Sequence, residues 1–239
     1  MGSQPNKSLI DGIRCLQELV MAGEPVGCHE MARRLKIHPV RANRLLMTLD
    51  EIGLARRDEQ RKYSPGPAIH VLAVQTLHGS AMFRSFLPFL EDLGRQRPWV
   101  VAMGVLWQDM VCYFYHGRPL EEGGMPLGHG RTFPASRSSI GLVLLAALPQ
   151  TEVIRIYEGK AIDGFDEPEH FYEELERIRQ RGYARIPPRD SAETVTKNFA
   201  VAVGNPPFAA ISYSAIPLDV PDEEVVSLLK AGLERYGFN

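Results

Sequence analysis

Residues 27–66 restrict this chain to one order of local structure: a short helix, a tight turn, a second helix and a basic hairpin. From Cys28 to Leu35, Cys28, Met31, Ala32 and Leu35 recur at i, i+3, i+4 and i+7, which places them along one helix face. Small Ala32 in that stripe lets another helix cross closely. The turn is Lys36-Ile37-His38-Pro39, and Pro39 suits the first helical position, where its missing N–H costs nothing. The next helix is predicted to bury Ala42, Leu45, Leu46 and Leu49 and to stop at Gly53. Its other side carries Val40, Arg41, Asn43, Arg44 and Thr48. A recognition helix needs this division, with apolar anchors behind and guanidinium and amide groups in front to pair with guanine and adenine edges.

After Gly53, residues 54–58 and 61–64 are short extended runs around Glu59-Gln60, the pattern of a two-stranded wing. Arg56, Arg57, Arg61 and Lys62 would lie there beside the phosphate backbone, where neutralising charge gives sequence-independent affinity. Upstream, Ser8–Met21 is expected to form an amphipathic helix, with Ser8 as N-cap and Leu9, Ile13, Leu16 and Val20 on its apolar face. Together these predict a winged helix-turn-helix over residues 1–66. Its expected DNA contacts are Pro39, Val40, Arg41, Asn43, Arg44 and Thr48 on the helix, and Arg61 and Lys62 on the wing. Three ordinary helices with solvated arginines are the alternative, and the basic hairpin weighs against it.

The chain has 239 residues, 44% of them apolar, enough for one or two cored domains. Its net charge of −2 hides an asymmetry: residues 1–66 carry 11 Lys and Arg against 8 Asp and Glu, whereas residues 67–239 carry 16 against 21. A basic head on an acidic body suggests that only the head meets nucleic acid. No uncharged apolar run is long enough to span a bilayer, and the N-terminus lacks a signal peptide's apolar core, so a cytoplasmic protein with no membrane partner is expected. Cys15, Cys28 and Cys112 are odd in number, widely spaced and set among apolar residues, as reduced thiols would be. No zinc-ligand spacing appears, and neither a metal nor a cofactor is expected.

Ser64-Pro65-Gly66-Pro67 marks the boundary, followed by a linker helix over 67–79 and a body over 80–239. The helix at 68–78 and a second at 82–93, with Pro88 inside it, are apolar around more than one face. Either a second copy of the chain or the body's own core covers that excess. In the body, residues 99–107 and 110–116 form a hairpin about Gln108-Asp109, and 138–148 and 168–181 form helices. Residues 199–203 and 208–216 are two buried strands, and 222–236 a closing helix. The sum is an α+β domain around a mainly antiparallel sheet.

These pieces resemble the isocitrate-lyase-regulator (IclR) family of bacterial transcription regulators along essentially the whole chain. In the head the resemblance rests on Ala32-Arg33-Arg34-Leu35, Arg44-Leu45-Leu46 and Leu49-Asp50-Glu51-Ile52-Gly53-Leu54, and at the junction on Tyr63-Ser64-Pro65-Gly66-Pro67. In the body it rests on Phe133-Pro134-Ala135-Ser136 with Ile140-Gly141 and Leu144-Leu145-Ala146, on Ile178–Tyr183, and on Pro207-Phe208-Ala209-Ala210-Ile211-Ser212. The resemblance implies a winged helix-turn-helix joined by a helical linker to a profilin- or GAF-like α+β ligand-binding domain. It further implies a homodimer or dimer of dimers on double-stranded promoter DNA, controlled by a small-molecule effector, often an organic or aromatic acid. By position, Ser139, Ile140, Asp190, Asn198, Ser212 and Ser214 are the implied effector-binding residues. Ser136-Arg137-Ser138 departs from the family's usual residues before the pocket helix, which leaves Arg137 either an anion partner or a solvated side chain.

Enzyme chemistry has weaker support. Ser136, Ser138 and Ser139 lie near His129 in sequence, but no Gly-x-Ser-x-Gly elbow encloses them. His116 and His129 have no paired carboxylate at ligand spacing, and Gly128-His129-Gly130 lacks the continuation of a phosphate loop. A body that only oligomerises is the remaining alternative.

Overall fold

The computed structural model describes residues 4–79, 81–117, 132–186 and 196–238. They form two compact units, Met1–Arg84 and Ser85–Asn239.

In the first unit, α1 (Lys7–Ala22), α2 (Cys28–Leu35) and α3 (Pro39–Glu51) precede an antiparallel ribbon of β1 (Ala55–Arg57) and β2 (Tyr63–Pro65), then α4 (Pro67–Gly79). Cys15, Leu19, Met31, Ala32, Ala42, Leu46, Leu49 and Tyr63 make the core. Val26 and Tyr63 exchange both backbone hydrogen bonds, at 2.8 and 2.9 Å, which ties the segment before α2 to the ribbon. The α2–α3 turn is held at Lys36, whose backbone is left-handed at φ 53°, and at His38, whose Nδ1 accepts from the Val40 amide at 3.3 Å. Gly53, at φ +73°, ends α3 in a conformation that side-chain-bearing residues resist.

α1 departs from expectation twice. Asn6, not Ser8, caps it: Asn6 Oδ1 accepts from the Ser8 and Leu9 amides at 3.0 and 3.1 Å. The inward stripe is Asp11, Cys15 and Leu19, while Leu9, Ile13 and Val20 are exposed and Leu16 is half-buried. Helical periodicity groups residues into stripes but does not choose which stripe turns inward. Here α3 offers Arg41, a partner that makes burial of Asp11 tolerable. α4 has Val71, Leu72 and Val74 exposed, in keeping with a helix apolar on several sides.

The second unit is a six-stranded sheet of order β5-β4-β3-β8-β7-β6, antiparallel at every pairing. Its strands are β3 (Val100–Trp107), β4 (Met110–Gly117), β5 (Thr132–Pro134), β6 (Ala184–Ile186), β7 (Thr196–Val203) and β8 (Ala209–Pro217). One face carries Ala102, Ala200 and Ala210 against α6 (Ser139–Ala147), α7 (Gln150–Tyr157) and α8 (Pro168–Arg181). Tyr213 alternates to the opposite face and donates its hydroxyl to the Leu93 carbonyl at 2.8 Å, which places α5 (Ala81–Gln96) there. Phe86 of α5 stacks on Phe238, just beyond α9 (Asp222–Tyr236), with ring centroids 4.0 Å apart. Burial raises the Tyr213 phenol well above its ordinary pKa.

The hairpin at 100–117 and helices α6, α8 and α9 match their expected spans closely. α7, β5 and β6 were not anticipated. The two strands are three residues long, too short to show a period, and α7 is only eight. α6 passes over a 3-10 turn at Ala135–Arg137 at Gly141, where a Cβ would sit 2.2 Å from the Ala135 carbonyl oxygen.

Candidate functional site

On α3, Val40, Asn43, Arg44 and Thr48 are exposed, opposite buried Ala42, Leu46 and Leu49. Pro39 occupies the first helical position. Among the described residues, no side chain pairs with the Arg44 guanidinium, which extends into solvent. Thr48 Oγ1 donates to the Arg44 carbonyl at 2.8 Å. Met47, not singled out from the sequence, is also exposed on this side, seven residues beyond Val40. Asn43 Nδ2 donates to its sulfur at 3.4 Å.

Arg41 is placed differently from its neighbours. Its Nη2 lies 2.5 Å from Asp11 Oδ2 of α1, with side chains 32% and 9% exposed. The contact is an ion pair without the alignment of a hydrogen bond. The guanidinium therefore points back to α1, where it ties the two helices together. Asp11 sits one turn before Cys15 and two before Leu19, so a charge inside that stripe was the signal that an arginine elsewhere had to meet it.

The ribbon tip is organised by Asp58. Its Oδ1 accepts from the Lys62 amide at 2.8 Å, its carbonyl from the Arg61 amide at 3.1 Å, and its own amide donates to Lys62 at 2.9 Å. Arg61 takes a left-handed backbone, φ 62°, and both Arg61 and Lys62 leave the tip exposed, as do Arg56 and Arg57. The Arg57 amide donates to Asp50 Oδ1 at 3.1 Å, and its guanidinium lies 5.7 Å from the Tyr63 ring centroid, so the ribbon is joined to the end of α3.

In the body, Ser212 pairs in register with Ala102 and Ala200, which fixes it on the sheet face under α6; Ser214, two residues on, shares that face. Ser212 is 2% exposed and Ser214 half-buried. Asn198 sits where the β7–β8 register shifts, and its Oδ1 accepts from the Ala215 amide at 3.3 Å. Ala215 is left-handed, φ 60°, so Asn198 supplies the acceptor that a bulge takes from the ladder. Its amide oxygen thus has a structural duty that spacing alone did not reveal.

Ser139 and Ile140, in the first turn of α6, are both buried. A Cγ methyl of Ile140 reaches over Gly104 of β3, filling space that a β-carbon there would contest at 3.4 Å. Ser138 caps α6, accepting from the Gly141 amide at 3.2 Å, and its hydroxyl lies 2.8 Å from the Tyr113 hydroxyl. Tyr113 joins this polar group from β4 and was not anticipated. Arg137 is exposed, its Cγ over Gly164. Asp190, like His129 and the Gly128–Gly130 segment, lies outside the described residues. An open groove between α7 and α8 is lined by Val153, Tyr172, Glu173 and Arg179 and, among the described residues, contains none of those expected to bind the effector. Among the described residues, no three His, Cys, Asp or Glu side chains gather as a metal site, and no helix is long and apolar enough to cross a membrane.

Comparison with known proteins gives the family and the fold. Residues 74–231 match the family model for the bacterial transcriptional regulator IclR C-terminal domain. The HTH-type transcriptional regulator KdgR of Escherichia coli strain K12 is 26% identical over 164 residues, 66% of this chain and 62% of KdgR, so the match spans about three fifths of that relative. Among solved structures, an IclR family transcriptional regulator from Brucella abortus aligns with a TM-score of 0.77 at 18% identity, covering 98% of this chain and 92% of the other. An IclR homologue from Microbacterium hydrocarbonoxydans, solved with 4-hydroxybenzoate, aligns with a TM-score of 0.64 at 21% identity, covering 96% and 97%. At those identities the two structures speak for the fold, while the family model covers well over half of the chain. The chain belongs to the IclR family of bacterial transcriptional regulators.

Proposed function

We propose that this chain is a ligand-responsive regulator that binds double-stranded promoter DNA through a winged helix-turn-helix at residues 1–66. Residues 67–79 serve as the linker, and 80–239 as a profilin- or GAF-like effector-binding and oligomerisation domain. The observation that carries it is the front of α3, with Arg44, Asn43 and Thr48 exposed, beside a ribbon whose Arg56, Arg57, Arg61 and Lys62 are all exposed. Apolar anchoring behind and exposed cations in front are what groove insertion and phosphate contact require. Exposed Leu9, Ile13 and Val20 on α1 and Val71, Leu72 and Val74 on α4 support a homodimer or dimer of dimers, with each head on its own half-site.

Gel-shift titration at two salt concentrations tests the DNA reading. Arg44→Ala is expected to weaken binding to a selected operator by about 1–3 kcal/mol and relax specificity at one base pair. Arg61→Ala and Lys62→Ala are expected to weaken binding to every sequence and lower the salt slope by about one unit each. Unchanged affinity in all three variants would remove α3 and the ribbon as the DNA face.

For the effector, Ser212 and Ser214 share the face beneath α6, where Ser138 and Tyr113 add hydroxyls and the first α6 amides favour a negative group. An organic or aromatic acid fits that set, and the 4-hydroxybenzoate held by the Microbacterium homologue makes it the first compound to try. Thermal shift with small aromatic and organic acids should raise the wild-type melting temperature. A Ser212→Ala/Ser214→Ala variant should still fold and bind DNA but lose roughly 1–3 kcal/mol of effector affinity by calorimetry. Equal affinity in both proteins would move the effector elsewhere in the body.

A further inference from the structure

Two apolar side chains stand on the surface of α3 where a soluble helix normally carries polar ones. Val40 is 72% exposed and Met47 54%. The helix has apolar residues to spare for its core, since Ala42, Leu46 and Leu49 are all buried behind it. Val40, Arg44 and Met47 recur at i, i+4 and i+7 and so form one line along the front of the helix, with Asn43 alongside. Val40 is the second residue of α3, in the half of a recognition helix that meets base edges. The hydrogen bond from Asn43 Nδ2 to the Met47 sulfur holds the longer side chain on this front.

What covers such a line has to suit both its apolar ends and its charge. Arg44 stands between Val40 and Met47, and Arg56, Arg57, Arg61 and Lys62 are exposed on the neighbouring ribbon, so the fitting surface is a polyanion that also offers apolar points. In the DNA major groove only thymine offers one, its C5-methyl group. The nitrogen and oxygen atoms of the base edges are donors and acceptors that would lose water against valine or methionine without gaining a partner. At 1.5 Å rise per residue, seven residues separate the two positions by about 10 Å along the axis. A helix lying along the groove would then bring them to bases about three steps apart, at 3.4 Å per step.

We infer that α3 reads thymine: Val40 and Met47 each pack against a thymine methyl, and Arg44 is the polar reader between them. The inference rests on the DNA-binding reading above and adds what the helix selects for. Arg41, drawn back to Asp11, takes no part in base recognition.

The test uses the full chain. Duplexes that bind the purified protein are enriched from a random pool, and each thymine of the selected site is replaced in turn by deoxyuridine, which removes only the methyl group. Two replacements per half-site, about three base pairs apart, are expected to weaken wild-type binding about fourfold each, the factor that burial of one methylene-sized group commands. Val40→Ala should be indifferent to one of these replacements and Met47→Ala to the other. Both variants should keep the wild-type fold, as their exposure allows, and the wild-type salt slope. The inference is overturned if the protein binds its selected duplex with no uracil effect, or if the variants keep the wild-type sensitivity. It is also overturned if Val40→Ala and Met47→Ala change the oligomeric state instead, which would make the patch a contact between copies. Failure to enrich any duplex is a different result, and would remove the DNA-binding reading itself along with this one.

Discussion

Gly141→Ala is expected to destabilise the body by about 2–4 kcal/mol, despite the ~1 kcal/mol that alanine normally contributes over glycine inside a helix. The added β-carbon would lie 2.2 Å from the Ala135 carbonyl oxygen and 2.5 Å from the Ala135 Cα, both backbone atoms that no rotamer change can move. α6 cannot slide away to relieve the clash, because Ser139 through Ala146 are buried without a break. The relief must come from the 3-10 turn or the helix start, where Ser138 caps the Gly141 amide and meets the Tyr113 hydroxyl. Effector response should therefore fall together with stability. Urea unfolding followed by tryptophan fluorescence reads the body, since Trp99 and Trp107 both lie there. A wild-type midpoint would show that α6 and the turn pass each other less tightly than this geometry has them.

The second large effect is expected in the head. Arg41→Ala leaves the Asp11 carboxylate, 91% buried as a side chain, without its counter-charge. Breaking a fully buried pair costs about 3–5 kcal/mol; with Arg41 a third exposed and the contact not an aligned hydrogen bond, about 2 kcal/mol is the expected loss. For a unit of this size that lowers the melting temperature by about 10 °C. Asp11→Ala/Arg41→Ala should recover much of the loss, because it removes the uncompensated charge along with its partner. Arg44→Ala, by contrast, should leave the melting temperature unchanged and affect only DNA affinity. If Arg41→Ala melts like wild type and loses sequence discrimination, Arg41 is a base reader and its contact with Asp11 is incidental.

This difference between Arg41 and Arg44 shows where legibility in the sequence ends. Both are arginines opposite Leu46 and Leu49 on the same helix, and periodicity puts both on the outward side. Only the packing of α1 against α3 separates them, by bringing a buried carboxylate to Arg41 and, among the described residues, none to Arg44. α1 makes the same point from the other side. Its Leu9, Ile13, Leu16 and Val20 form a better apolar stripe than Asp11, Cys15 and Leu19, yet the second set faces the core. In the body, alternation along β8 correctly put Ser212 and Ser214 on one face, while the bulge that engages Asn198 depends on register with a neighbouring strand.

The local elements with strong periods or firm ends are legible in the chain before it folds: α2 and α3 about their turn, the hairpin at 100–117, α6 before Pro149, α8 closed by Gly182, and α9 with its acidic first turn. Those are decided within a few residues, by side-chain spacing, capping and the conformations open to glycine and proline. Packing between distant segments settled which stripe of α1 turns inward, which arginine of α3 is paired with Asp11 and which stands exposed, and the antiparallel order β5-β4-β3-β8-β7-β6. Each of these compares the burial of one group with that of another far away in the chain, and a buried charge is tolerated only where its partner is brought to it.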